Sequence, residues 1–196
     1  MRRMALVILA LALALAGCTP KPPVRERSEP PPPPPAEEAS PLAGRVNEAL
    51  RLAGEGAYPE AILQLQKALD EDPRLAEAWY NLGVLYRRIG QSLDAENSLA
   101  RAVKLEGGRG DYLYAHGAAL FDLERWKEAQ REFERSFRAD GNLRALFSLG
   151  QTLERRGKLE KARGAYQEYL RRDPDSAWGR RAAGKLEDLA ASLDRR

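Results

Sequence analysis

Apolar and small residues recur at helical spacing along most of the chain. In the stretch AEAWYNLGVLYRR they fall at i, i+3, i+4 and i+7, at Trp79, Leu82, Gly83 and Tyr86. This spacing lines one face of a helix. After the turn Ile89-Gly90-Gln91, a second set of such positions follows at Ala95, Leu99 and Ala102. The pattern predicts two helices that pack against each other as a pair.

This pair of patterns repeats along the chain. The small residue of the first helix returns after 34 and then 33 residues, at Gly83, Gly117 and Gly150. The second helix carries a small residue at Ala61, Ala95, Ala129 and Ala162. An interior glycine costs a helix about 1 kcal/mol relative to alanine, so we expect these small residues to face each other where the helices approach closely. Each pair buries its apolar face only against its neighbours, which predicts an all-α solenoid.

The order of these residues resembles the tetratricopeptide repeat, most fully over residues 76–108. The resemblance implies a right-handed superhelical solenoid of about four helix-turn-helix repeats. These repeats are predicted at residues 42–75, 76–109, 110–142 and 143–176. Residues 177–196 are then a capping helix with a polar outer face. A helix lying on a membrane surface is the alternative for this segment, although its stripe lacks aromatic residues beyond Trp178.

The first 17 residues have the layout of a secretory signal peptide. Arg2 and Arg3 precede an apolar run from Met4 to Gly17. That run has 14 residues, or about 21 Å as a helix, whereas a membrane-spanning helix needs about 20 residues. A signal peptide at residues 1–17 is therefore predicted in preference to a permanent transmembrane helix.

The segment Leu15-Ala16-Gly17-Cys18 resembles the lipobox of bacterial lipoproteins, in which the cysteine is acylated and the chain is cut before it. The resemblance implies a covalent lipid on Cys18, the only cysteine, and no other cofactor is predicted. Such a lipid supplies enough acyl chain for stable anchoring. Thr19 stands where an inner-membrane retention signal has aspartate, so we expect the outer membrane, facing the periplasm. An ordinary signal peptide or an uncleaved anchor is the alternative.

Proline dominates the next segment. Ten of the 13 prolines lie between Pro20 and Pro41, including the unbroken run Pro30 to Pro35. Each proline lacks a backbone donor and fixes its own φ, so residues 18–41 are predicted to be a lipidated, disordered tether. The alternative is a proline ligand for aromatic-lined domains.

Residues suited to catalysis or metal binding are scarce. The chain has one histidine and one cysteine, and no cluster with the spacing of a zinc site or a Ser/His/Asp relay. His116 takes the place of Leu82 and Leu149 in the neighbouring repeats, which predicts a partly buried packing residue. Gly107-Gly108-Arg109-Gly110 is interpreted as a link between repeats, because no strand precedes it. We therefore expect no enzymatic activity, no metal and no small-molecule substrate.

Charge gives no argument for nucleic acid as a partner. Without Arg2 and Arg3, the 32 basic residues fall to 30, against 29 acidic residues. This balance lacks the concentrated basic footprint of nucleic-acid-binding proteins. Basic pairs such as Arg155-Arg156 and Arg171-Arg172 are interpreted as solvated helix surface, with contact to an acidic surface as the alternative.

In the family that the chain resembles, the first helices of successive repeats line a concave groove. The residues predicted to lie on that side are Tyr80, Asn81, Val84, Arg87, Tyr114, Ala118, Phe121, Phe147, Ser148 and Gln151. Tyr80, Tyr114 and Phe147 recur one repeat apart and are predicted to form an aromatic stripe, because rigid aromatic residues often anchor bound peptides. Packing on the next repeat is the alternative role for these rings.

Repeats that capture the C-terminal carboxylate of chaperones resemble one another in a clamp of lysines, asparagines and an arginine. Asn81 matches one element of that clamp. Val46 and Leu50 replace cationic and amide groups, and Asp111 and Ala115 replace cations. A carboxylate would meet Asp111 instead of a positive charge, so this mode of binding is not expected.

Together these features predict a lipid-anchored scaffold of the cell envelope that binds protein or peptide partners along its groove. Lipoproteins of this build resemble pilotins, which help secretins of type IV pili to assemble, and adaptors that recruit peptidoglycan enzymes. The residues do not separate these two roles. A periplasmic holdase-like chaperone for exported polypeptides is the alternative, and a hydrolytic enzyme is a more distant one.

Overall fold

The computed structural model describes residues 41–193, which form nine α-helices and contain no strand. The helices are α1 (Pro41–Gly54), α2 (Tyr58–Glu71), α3 (Ala76–Arg88), α4 (Ser92–Leu105), α5 (Gly110–Asp122), α6 (Trp126–Asp140), α7 (Leu143–Arg155), α8 (Leu159–Arg172) and α9 (Ala177–Leu193). None of the helices in this range is both long and apolar enough to cross a membrane. The predicted signal peptide, Cys18 and the tether to residue 40 lie outside the described residues.

Helix α1 begins one residue earlier than predicted. Pro41, assigned from sequence to the end of the tether, is the first residue of this helix. The first helical turn tolerates proline because its missing backbone N–H has no partner there and its fixed φ suits a helix.

Short turns join the two helices of each pair. In three of them a glycine adopts a positive φ, as Gly90 does at 81°. In the turn between α5 and α6, Glu124 occupies the equivalent place with a φ of 59°. The turn geometry is therefore the same even where the sequence carries no glycine.

The helices stack as pairs along one axis. Each helix packs on the next one in the chain, and the first helices α1, α3, α5 and α7 also contact one another in succession. The predicted stripe is buried, with Leu82 3 % exposed and Leu99 fully enclosed. Helix α9 closes the stack against α8, where Ala182 and Leu189 join the core of the last pair. The predicted all-α solenoid is confirmed for the described residues.

The interior glycines lie where two helices approach closely, as predicted. A Cβ added to Gly83 would come 2.5 Å from Cγ of Leu99, and one added to Gly150 would come 2.6 Å from the ring of Tyr166. Gly117 meets Phe133 in the same way, at 2.9 Å. Ala95 faces Gly83 as expected, with its backbone oxygen 3.0 Å from an added Cβ, but in all three pairs the nearest side chain belongs to the large residue four positions after the alanine. Each glycine thus forms a recess for a large side chain of the partner helix.

Replacement of Gly83 by leucine is expected to lower the free energy of unfolding by about 2 to 3 kcal/mol, because Leu99 and the Ala95 carbonyl leave no room for a side chain. Chemical denaturation monitored by circular dichroism measures this change. Gly164→Leu is the matched control, since a Cβ at Gly164 in α8 meets nothing within 4 Å. Equal stability of the Gly83 variant and the parent protein would contradict this packing.

Candidate functional site

The first helices α3 and α5, with one residue each from α4 and α7, line a groove of about 400 Å³, here called the central groove. Four of the predicted groove residues meet there, namely Tyr80, Val84, Arg87 and Tyr114. Arg88, Asp122 and Arg144 also line it and were missed by the sequence prediction. The central groove is therefore more strongly charged than the pattern of apolar residues indicated.

Both carboxylates of the central groove already have cationic partners. Arg87 Nε lies 2.5 Å from Asp122 Oδ2, joining the last turns of α3 and α5. Arg109 lies 2.7 Å from Asp111. Burial opposes ionisation of Asp111, but the hydrogen bond from Arg109 prevails and the pKa of Asp111 is lowered. The expectation that a bound carboxylate would meet Asp111 instead of a positive charge is thus corrected, because arginines line the same groove.

Tyr80 forms part of the groove wall and packs on the next repeat. Its ring stacks on Tyr112 with centroids 4.7 Å apart and an interplanar angle of 18°. Burial, and then the negative charge of Asp111, raise the pKa of Tyr80. The Tyr80 hydroxyl therefore remains protonated at neutral pH and is available as a neutral hydrogen-bonding group.

Tyr114 lines the central groove with Tyr80 and also packs on neighbours of its own. Its ring lies 5.8 Å from that of Phe133, and the guanidinium of Arg144 lies 5.1 Å from its centroid. The predicted stripe of Tyr80, Tyr114 and Phe147 is found only in part, because Tyr80 and Tyr114 both line the central groove and Phe147 does not.

A smaller pocket of about 240 Å³ adjoins the central groove and is here called the amino-terminal pocket. Asn81, another predicted residue, lines it, and Val84 and Arg88 border both cavities. Leu50 on α1 and Val84 on α3 are 45 % and 37 % exposed, and both line this pocket. This pocket offers apolar surface directly beside the charged central groove.

A third cavity, of about 420 Å³, lies between α7 and α9 and is here called the carboxy-terminal pocket. Gln151 and one edge of Phe147 line it. The prediction that Phe147 is open to a partner is corrected, because Phe147 is only 3 % exposed. The ring of Trp178 from α9 covers it at 4.9 Å, and Tyr166 and Tyr169 pack on its other sides. In this repeat the exposed aromatic residue is Trp178.

The remaining predicted residues contribute less to these cavities. Ala118 is 6 % exposed and belongs to the core around Phe133. Phe121 is half-buried and packs edge-on against Trp126, with centroids 4.7 Å apart. Ser148 is half-buried and accepts a hydrogen bond from Thr152 through its backbone oxygen. Ala118 is thus corrected from a groove residue to a core residue.

His116 is partly buried, as predicted, but its surroundings are polar. Its two ring nitrogens lie 3.6 Å from Glu96 and 3.8 Å from Glu132, on the helices to either side of α5. Arg125 and Arg135 bind these same carboxylates at 3.1 and 2.9 Å. Burial acts to raise the pKa of Glu132, but the neighbouring His116 and Arg135 outweigh burial and the pKa is lowered. The cluster links the second and third helix pairs.

Three family models match the chain. Models described as tetratricopeptide repeat match residues 76–108 and 114–177, and a model described as TPR repeat matches residues 44–90. The matched ranges include at least part of every helix from α1 to α8.

Similar solved structures have the same fold. The chain is 25% identical to YrrB, whose structure is described as a TPR protein with an unusual peptide-binding site, with a TM-score of 0.68 over 78% of this chain and 77% of that one. The first TPR of Spaghetti (RPAP3), bound to the HSP90 peptide SRMEEVD, is 25% identical, with a TM-score of 0.57 over 59% of this chain and 95% of that one. Pseudomonas aeruginosa pilF is 20% identical, with a TM-score of 0.69 over 79% of this chain and 69% of that one, and this likeness shows the fold alone.

Replacement of Tyr112 by phenylalanine is expected to stabilise the protein by about 1 kcal/mol at neutral pH, because it removes a buried polar group without a partner. Tyr112 is 1 % exposed and its hydroxyl has no hydrogen-bond partner among the described residues. Burial raises the pKa of Tyr112 from 10.0 to about 12. The parent protein therefore loses stability as pH rises through this interval, since the unfolded chain ionises first.

Denaturation at neutral pH and at several values above pH 10 measures the difference in free energy of unfolding between the Tyr112→Phe variant and the parent protein. This difference should widen in favour of the variant as the pH rises. Tyr166→Phe is the control, because Tyr166 is also buried but donates a hydrogen bond to Glu154. That variant should be less stable than the parent protein. A Tyr112→Phe protein that is less stable than the parent, or whose gain in stability does not change with pH, would contradict the conclusion that the Tyr112 hydroxyl is buried without a hydrogen-bond partner.

Proposed function

The chain belongs to the tetratricopeptide-repeat family, and we propose that it is a lipid-anchored scaffold of the cell envelope that binds segments of partner proteins along its first helices. The observation that carries this proposal is the pair of adjoining cavities on α1, α3 and α5, where exposed apolar and charged side chains meet. Tetratricopeptide repeats are typical of interaction scaffolds and not of enzymes.

The properties of the two cavities support a peptide as the occupant. Together they form an open groove across three helices, in contrast to the enclosed, mostly apolar pocket typical of small-molecule sites. Leu50 and Val84 offer apolar contacts, while Tyr80 and Tyr114 offer rings with hydroxyl groups at their ends. Such mixed surfaces suit an extended segment with alternating side chains. YrrB and Spaghetti, whose descriptions name a peptide-binding site and a bound peptide, share the fold.

The lipid anchor is the second part of the proposal. Acylation of Cys18 would hold the protein at a membrane, and residues 18–41 would separate the helical repeats from it. We place the protein at the outer membrane, facing the periplasm, on the basis of the lipobox and Thr19. In that setting it would assist an envelope complex, such as a type IV pilus secretin or a peptidoglycan enzyme complex.

A crosslinked pull-down from membranes tests the groove. The full-length protein, Val84→Asp and Leu93→Asp are compared, and the captured proteins are identified by mass spectrometry. Val84 borders both cavities, whereas Leu93 is 68 % exposed at the start of α4. Both changes place a carboxylate at an exposed apolar position, so Leu93→Asp controls for general effects on folding. A small set of envelope proteins should be lost with Val84→Asp and retained with Leu93→Asp.

A Cys18→Ala arm of the same experiment tests the anchor. The parent protein should carry the mass of the lipid on a chain that begins at Cys18, and the variant, which has no thiol to acylate, should show neither the lipid nor the cut before residue 18. Equal loss of partners from both aspartate variants, or from neither, would contradict binding at the groove. Capture of many unfolded exported proteins would instead favour a holdase-like chaperone. A parent protein without the mass of the lipid would contradict the lipid anchor while leaving the groove intact.

A further inference from the structure

Two arginines of the central groove have no acidic partner. Arg88 comes from the last turn of α3 and Arg144 from the first turn of α7. Neither forms an ion pair with any residue between 41 and 193, although ion pairs are common on other helices, such as α1, α6 and α8. They contrast with Arg87 in the same groove, whose charge is neutralised by Asp122.

Both arginines are positioned by aromatic rings instead. The guanidinium of Arg144 lies 5.1 Å from the centroid of Tyr114, and that of Arg88 lies 5.5 Å from the centroid of Tyr58. Arg88 also donates a hydrogen bond of 3.1 Å to the Tyr58 hydroxyl. A guanidinium held over a ring keeps N–H groups at its edge available for carboxylate oxygens. The two side chains are thus partly ordered before any partner binds.

The balance of charge in the central groove is positive. Asp122 is neutralised by Arg87, and Asp111 is neutralised by Arg109 from the preceding turn. Three arginines and two aspartates line the groove, a net charge of +1, and with Arg109 beside Asp111 the excess at the groove is two positive charges, those of Arg88 and Arg144. Because these cations enter from different helices, two carboxylates, one beside each, would satisfy both with charge-assisted hydrogen bonds.

We propose that the central groove selects peptide segments that carry at least two acidic side chains, with an apolar residue that occupies the amino-terminal pocket. This inference rests on the proposed function, since it assumes that the groove binds peptides. The apolar position follows from Leu50 and Val84, because Arg88 borders the pocket that they line. The carboxylates belong to internal Asp or Glu residues, so a free C-terminus is not needed.

Selection from a phage library of short random peptides tests this specificity. The peptides are fused through their C-termini to the coat protein, so that no terminal carboxylate is present. Four full-length proteins serve as bait: the parent, Arg88→Gln/Arg144→Gln, the control Arg101→Gln/Arg163→Gln, and Val84→Asp. The control removes the same charge from other surfaces. Arg101 lies over Trp79 at 4.5 Å in a cavity between α2 and α4, and Arg163 pairs with Glu160 on α8.

The parent and the control should enrich sequences rich in Asp and Glu beside a large apolar residue, and the double groove variant should lose the acidic preference. For an enriched peptide with an amidated C-terminus, Glu→Gln changes should weaken binding by about tenfold per lost arginine contact. High salt should weaken binding of the acidic peptide more than binding of its Gln form.

The remaining outcomes separate the acidic specificity from peptide binding itself. Enrichment of peptides without an acidic preference, or an unchanged preference in the double groove variant, would overturn the acidic specificity and leave peptide binding in place. Enrichment by none of the proteins, or by the parent and Val84→Asp alike, would contradict the proposed function itself.

Discussion

The close contact between the two helices of the second, third and fourth repeats is the constraint on which the rest of the structure depends. A large side chain of the second helix, such as Leu99 or Tyr166, lies directly against a glycine of the first helix. Glycine is unfavourable inside a helix, but here the absence of a side chain allows burial that more than offsets that cost. Because the same contact recurs in three successive pairs, these pairs share the same internal packing.

This packing also determines which residues are left for function. Leu82 and Gly83 are used for contact with the partner helix, and the adjacent side of α3 presents Tyr80, Val84 and Arg87 to the groove. The carboxy-terminal end of the solenoid is packed differently. Helix α9 places Trp178 over Phe147, which closes the position that remains open in the earlier repeats.

The periodic features of the fold could be predicted from the sequence, and the features that depend on a particular neighbour could not. Period and residue type predicted the helix pairs and the role of Gly83, because these depend on local spacing. The burial of Phe147 depends on a helix some thirty residues later, and the pairing of Asp122 with Arg87 depends on the distance between two helices. The excess charge of Arg88 and Arg144 was missed for the same reason, since a linear pattern does not show which charges are neutralised.

Site-specific photocrosslinking in intact cells tests the central claim most directly, namely that partners bind along the first helices. A benzoylphenylalanine is placed at Val84 or Gln151 on the first helices, or at Leu63 or Leu93 on the second helices, where both leucines are well exposed. The account predicts discrete crosslinked products from the first two positions and none from the other two. Products from Leu63 or Leu93 with none from Val84 would show that partners bind the outer surface and would contradict the account.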